Sequence, residues 1–197
     1  MNLTGASRRQ FVRTSISSVT SAWVALRWPA ILAAREHAQQ QAKTDSAPEF
    51  EFFSPEQAAE VDALCAQIIP SDNSAGARDA HVIYFIDRVL VTLDRDSQTK
   101  YIQGLKVLQE KTHSLFPGPA QFSSLSSEQQ IQVLTSIEKT DFFELVRFHT
   151  ILGFLARPEY GGNYNKIGWK LIGLEDQMMF QPPFGYYDEE EDKPHHP

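Results

Sequence analysis

From Ser54 to Leu155 apolar residues recur every three or four positions, the period of helices that each bury one face. Ser54-Pro55-Glu56-Gln57 opens the first stretch with a serine N-cap, a proline at the first helical position and a glutamine placed to close a capping box. Ala58, Val61, Leu64, Cys65 and Ile68 mark its inner face, and Pro70 ends it. Asp79 stands where it would cap a second helix carrying Val82, Phe85, Ile86, Val89, Leu90 and Leu93. A third runs through Tyr101, Leu105, Leu108, Thr112 and Leu115 and stops at Pro117-Gly118-Pro119. Ser126-Ser127-Glu128-Gln129 is a second capping box, before Ile131, Leu134 and Ile137. Asp141 and Glu144 open a fifth helix through Phe142, Leu145, Phe148, Leu152 and Leu155. No run alternates as a strand does. The expectation is an all-α fold, a compact bundle of about five amphipathic helices with an irregular C-terminal segment.

Composition divides the chain further. Five of its 18 basic residues (Arg8, Arg9, Arg13, Arg27 and Arg35) fall within residues 1–35, which contain no acid. The rest holds 13 bases against 25 acids. The overall charge of −7 argues against nucleic acid as a partner. In the leader, Ser7-Arg8-Arg9-Gln10-Phe11 has the form of a twin-arginine export address, followed by a weakly apolar, Ser- and Thr-rich stretch. Two guanidinium forks present a geometry that lysines cannot reproduce. Arg27 and Pro29 interrupt the apolar stretch, which argues against a permanent span. Residues 36–49 read as a linker, 50–175 as the helical domain, and 176–197 as a tail in which Phe184, Tyr186 and Tyr187 adjoin the acidic run from Asp188 to Asp192.

Several chemistries find no residues to support them. One cysteine, Cys65, excludes an internal disulfide, a zinc ribbon and covalent haem attachment. No nucleotide fingerprint, nucleophile elbow or H-E-x-x-H metal helix is present, so neither a metal site nor a cofactor is expected in this chain. Gly161-Gly162 lacks the strand-to-helix setting of a dinucleotide site. His149 is the one candidate for an independent catalytic site, with an acidic neighbour such as Glu144; the competing reading is an interior histidine with its hydrogen bonds satisfied. A third alternative is a structural protein tethered by an uncleaved leader.

A combination of segments carries a resemblance. It comprises the twin-arginine leader, the Ser-Pro-Glu-Gln helix ending Ile68-Ile69-Pro70-Ser71-Asp72, Gly76-Ala77-Arg78-Asp79-Ala80, and Tyr160-Gly161-Gly162-Asn163 followed by Gly168-Trp169-Lys170-Leu171-Ile172-Gly173. In this order they resemble the gluconate 2-dehydrogenase subunit 3 family over about residues 50–175 plus the leader. The resemblance implies a non-catalytic small subunit of a periplasmic, membrane-associated dehydrogenase. Its partner would be a large flavoprotein holding FAD that oxidises a sugar, sugar acid or polyol. A cytochrome c subunit bearing haem c commonly passes the electrons on. The small subunit would assist maturation and twin-arginine export of the flavoprotein, with the twin-arginine translocase reading Arg8, Arg9 and Phe11. No catalytic residue is carried over. Tyr160, Gly161, Gly162, Asn163 and Trp169 are the candidate partner-binding residues, because aromatic side chains on a glycine loop make good anchors. Trp169 reads equally well as a core indole, and the loop as a turn.

Overall fold

A computed structural model of the chain describes residues 49–118 and 121–177, with Pro29 and Leu32 before them. The leader with Arg8, Arg9 and Phe11, the linker before residue 49 and the tail beyond residue 177 lie outside the described residues. Among the described residues every regular element is a helix, with no strand. Helix α1 spans Pro55–Ile68, α2 Val82–Val91, α3 Gln98–Leu115, α4 Ser127–Ile137, α5 Asp141–Leu155 and α6 Ile167–Leu171. Both expected capping boxes form: Ser54 with Gln57 starts α1 and Ser126 with Gln129 starts α4. Each box satisfies two N–H groups that the first turn of a helix leaves unpaired.

The fifth helix starts at Asp141 as expected, and the start of the second differs. Helix α5 is capped by Thr140, whose hydroxyl accepts from the Phe143 N–H, so Asp141 is its first helical residue. Asp79 caps no helix. Its carboxylate accepts from the Gly76 N–H and the Ser71 hydroxyl, closing the turn between α1 and α2. Helix α2 instead begins after His81, held in the left-handed region at φ 56°. The segment expected to be irregular contains the short α6.

Helices α1 and α5 form the centre. Helix α1 packs on α2, α4 and α5, while α5 also meets α2, α3 and α6. Val61, Leu64, Ile86, Leu90, Tyr101, Leu108, Phe122, Val133, Ile137 and Val146 are buried where these helices meet. Each such side chain contributes about 1.5–3 kcal/mol through removal from water. Two buried carboxylates fix the connections. Asp87, in the middle of the apolar α2, accepts from the Glu51, Phe52 and Phe53 N–H groups at 2.7, 3.1 and 2.9 Å. Glu60 on α1 accepts from Phe122 and Ser123 at 3.1 and 2.9 Å, seating the turn that leads to α4. These bonds are charge-assisted and compensate the desolvation of each carboxylate.

The inner face of α5 is not the one that the apolar spacing first indicates. Phe142, Val146, His149, Thr150, Gly153 and Phe154 point inward, while Phe148, Leu152 and Leu155 are exposed. Apolar residues surround most of this helix, so its period does not select a side. Leu115 on α3 and Ile131 on α4 likewise lie outside the core.

A loop clasp at the end of the central helix

The C-terminal end of α5 leaves carbonyl groups without helical donors. Residues 158–169 supply them. The Asn163 side-chain N–H donates to the Ala156 carbonyl at 2.8 Å, and the Trp169 indole N–H donates to the Leu155 carbonyl at 2.8 Å. The other end of the Asn163 amide accepts from the Gly168 N–H at 2.8 Å, so one buried side chain ties the end of α5 to the start of α6. Asn163 does this at φ 48°, a left-handed conformation that asparagine tolerates better than most residues.

Glycine makes the close approach possible. A Cβ on Gly162 would overlap the Gly153 carbonyl oxygen, and one on Gly168 would overlap that of Phe154. Both obstacles are backbone atoms of α5 that no rotamer change can move aside. Gly161 turns the chain at φ 103°, beside Arg88 of α2. The loop is also fastened to α2 and the turn before it: Arg88 donates to the Glu159 carbonyl, Tyr164 N–H donates to the Ala80 carbonyl at 3.1 Å, and the Tyr164 ring stacks on His81 at 4.3 Å between centroids.

The structure therefore brings all five candidate residues of this block together at one end of the molecule. Tyr160 is half-buried against the core, Gly162 and Asn163 are buried, and the Trp169 ring is largely covered. Asn163 and Trp169 spend their polar atoms on the end of α5 and the start of α6 rather than outward. Gly161 and Gly162 lie on helix backbone and open no strand-to-helix turn, so they do not fit a pyrophosphate.

His149 is an interior residue at 2% exposure. Its Nε2 lies 3.3 Å from the Asp94 carboxylate, which can only accept, so the ring proton belongs on Nε2 and Nδ1, 3.0 Å from the Tyr101 hydroxyl, is left to accept. Glu144, the acidic neighbour suggested by sequence, faces away and pairs with Arg147 at 2.6 Å. Burial holds the His149 pKa below that of free imidazole, although Asp94 opposes the shift. It also raises that of Tyr101, so the phenol remains a donor. The imidazole is thus neutral with both nitrogens engaged, and its burial leaves a substrate no access to it. Cys65, beside Thr150, is fully buried, and burial pushes its thiol up to about 12. Among the described residues no group of three or more potential ligands is placed to hold a metal ion. No helix among them is long and apolar enough to cross a membrane.

Periodicity did not reveal one surface. Phe148, Ile151, Leu152 and Leu155 follow one another along the solvent side of α5, and Leu171, Ile172 and Leu174 are exposed on the segment that Trp169 ties to its end. The available signal was the scarcity of polar residues in α5, which leaves apolar side chains on both of its sides.

Among the described residues, 55–171 form a module of six α-helices closed at one end by a glycine-containing clasp. Residues 55–175, more than half of the chain, match the family model described as gluconate 2-dehydrogenase subunit 3, and the chain belongs to that family. No curated protein and no solved structure matches it.

Proposed function

We propose that this chain is the non-catalytic small subunit of a periplasmic, flavin-dependent dehydrogenase complex acting on a sugar, sugar acid or polyol. It assists maturation of the flavoprotein subunit and lends it the twin-arginine address at Arg8-Arg9. FAD belongs to the large subunit, and haem c to a further cytochrome subunit through which electrons leave. The observation that carries this reading is the family match across the helical domain, coupled to a leader whose arginine pair lies outside that domain. Two features of the interior support a non-catalytic role. His149 is enclosed and already bonded at both nitrogens, and the glycine pair is packed on a helix. A folded passenger suits the export route, since capping boxes, buried carboxylates and clasp join parts of one cooperative domain.

Replacing Arg8 and Arg9 together by lysine tests the shared address. Charge is kept and the forked geometry is lost. Both this chain and the flavoprotein should then accumulate in the cytoplasm, as read by fractionation and by dehydrogenase activity in the periplasmic fraction. A flavoprotein that reaches the periplasm at its normal level in that background would show that it travels independently.

A further inference from the structure

We propose that the outer face of α5, continued by the segment after α6, is the seat of the flavoprotein subunit. Phe148, Ile151, Leu152 and Leu155 sit at i, i+3, i+4 and i+7, within an arc of roughly 100° around the helix. Their exposures run from 57% at Phe148 to 37% at Leu155. The opposite side of the same helix is buried in the core. A helix apolar on both sides is normally covered on both sides, and here the described residues cover only one. Leu171, Ile172 and Leu174 are further exposed apolar residues, on the segment that follows Trp169, whose indole is bonded to the Leu155 carbonyl. Summed over both segments, the seven residues offer on the order of 600 Å² of exposed apolar surface. That is most of the roughly 800 Å² per partner found in stable interfaces, leaving a share for a polar rim. Glu144, Arg147 and Lys170 are exposed residues of α5 and α6 available for that rim.

The choice of occupant rests on the reading of this chain as a dehydrogenase subunit. All seven residues lie inside the stretch 55–175 that matches the family, where a surface for the partner implied by a subunit family belongs. The chain's own residues 178–197 fall outside that match, which argues against them as the cover. A second copy would bring two chains of charge −7 against each other, which argues against self-association through this face. The clasp acquires a role in this arrangement. By fastening Leu155 and Ala156 to Asn163 and Trp169, it fixes the angle between the two apolar segments, and a surface fixed before contact loses less entropy on docking.

The test uses the full chain, affinity-tagged and co-expressed with the flavoprotein. Phe148→Glu combined with Leu152→Glu places two carboxylates on the proposed contact without touching the core. Ile131→Glu, on an exposed position of α4, is the control. Flavin recovered per tagged chain should fall at least tenfold in the double variant and stay at the wild-type level in the control. Benzoylphenylalanine introduced at position 148 should crosslink to the flavoprotein on illumination, a readout that does not depend on the double variant folding. Wild-type flavin recovery by the double variant overturns this surface while leaving the subunit reading intact. Absence of flavin with the wild-type chain overturns the subunit reading and the surface with it. Crosslinks that join position 148 to a second copy, or to residues 178–197, also overturn the proposal and identify the actual cover.

Discussion

Truncating Asn163 isolates the energy of the clasp. Asn163→Ala removes the donor to Ala156 and the acceptor for the buried Gly168 N–H, and leaves a residue with a Cβ at φ 48°. An unsatisfied buried polar group costs about 1–3 kcal/mol. The left-handed backbone costs alanine about 1–2 kcal/mol, a penalty that asparagine partly escapes through its short polar side chain. Water reaching Ala156, which is only half-buried, reduces the first contribution. The expected loss is therefore about 3 kcal/mol, out of a total of roughly 5–15 kcal/mol for a domain. For a chain of this size that corresponds to a fall in Tm of about 10 °C. Asn163→Gly loses the same hydrogen bonds but adopts the turn freely, and should recover about 1 kcal/mol relative to alanine. Asn163→Asp keeps an acceptor toward Gly168 but turns an oxygen toward the Ala156 carbonyl, so it should resemble the alanine variant. Urea unfolding followed by far-ultraviolet circular dichroism gives these differences, with an unchanged m value as the check on two-state behaviour. An alanine variant within about 0.5 kcal/mol of wild type would falsify the assignment, since that is the range of ordinary surface substitutions. So would a glycine variant less stable than alanine.

The enclosed histidine and thiol yield two further expectations. Burial depresses the His149 pKa below its unfolded value of 6.5, so the unfolded chain binds the extra proton first as pH falls. The stability contributed by neutral His149 is complete above pH 6.5 and is lost as pH falls through that value toward the lower folded pKa. In His149→Gln the slope of unfolding free energy between pH 7 and pH 5 should be smaller than in wild type; equal slopes would show that other groups set it. For Cys65, a thiol at about 12 and no exposed surface predict that an aromatic disulfide reagent labels the native chain only through opening. Labelling should accelerate steeply with urea, and rapid stoichiometric reaction in buffer would place the thiol at an accessible site.

Capping boxes explain why some boundaries could be read directly. Ser54 with Gln57, and Ser126 with Gln129, act over three residues, so the chain carries the whole interaction in a few consecutive letters. Asp79 shows where that logic fails. An acidic residue ahead of an apolar run is a reasonable N-cap, but here the folded turn offers the Gly76 N–H and the Ser71 hydroxyl within reach, and they take the carboxylate. Asp87 went unread by the apolar period, although a carboxylate in the middle of an apolar helix requires donors. That those donors are Glu51, Phe52 and Phe53 depends on a contact across more than thirty residues.

Helical class, both capping boxes, most core positions and family membership could be read along the chain, since propensity, capping and apolar period act over one or two turns. Tertiary structure alone decided which side of α5 faces inward, because apolar residues occupy both sides and only the presence of α1, α2 and α3 breaks the tie. It decided also that His149 meets Asp94 and Tyr101 rather than Glu144, and that Asn163 and Trp169 reach back to the end of α5. Each of these is a pairing between distant parts of the chain. Local preference carries no information about distant pairings until packing brings their members within hydrogen-bond reach.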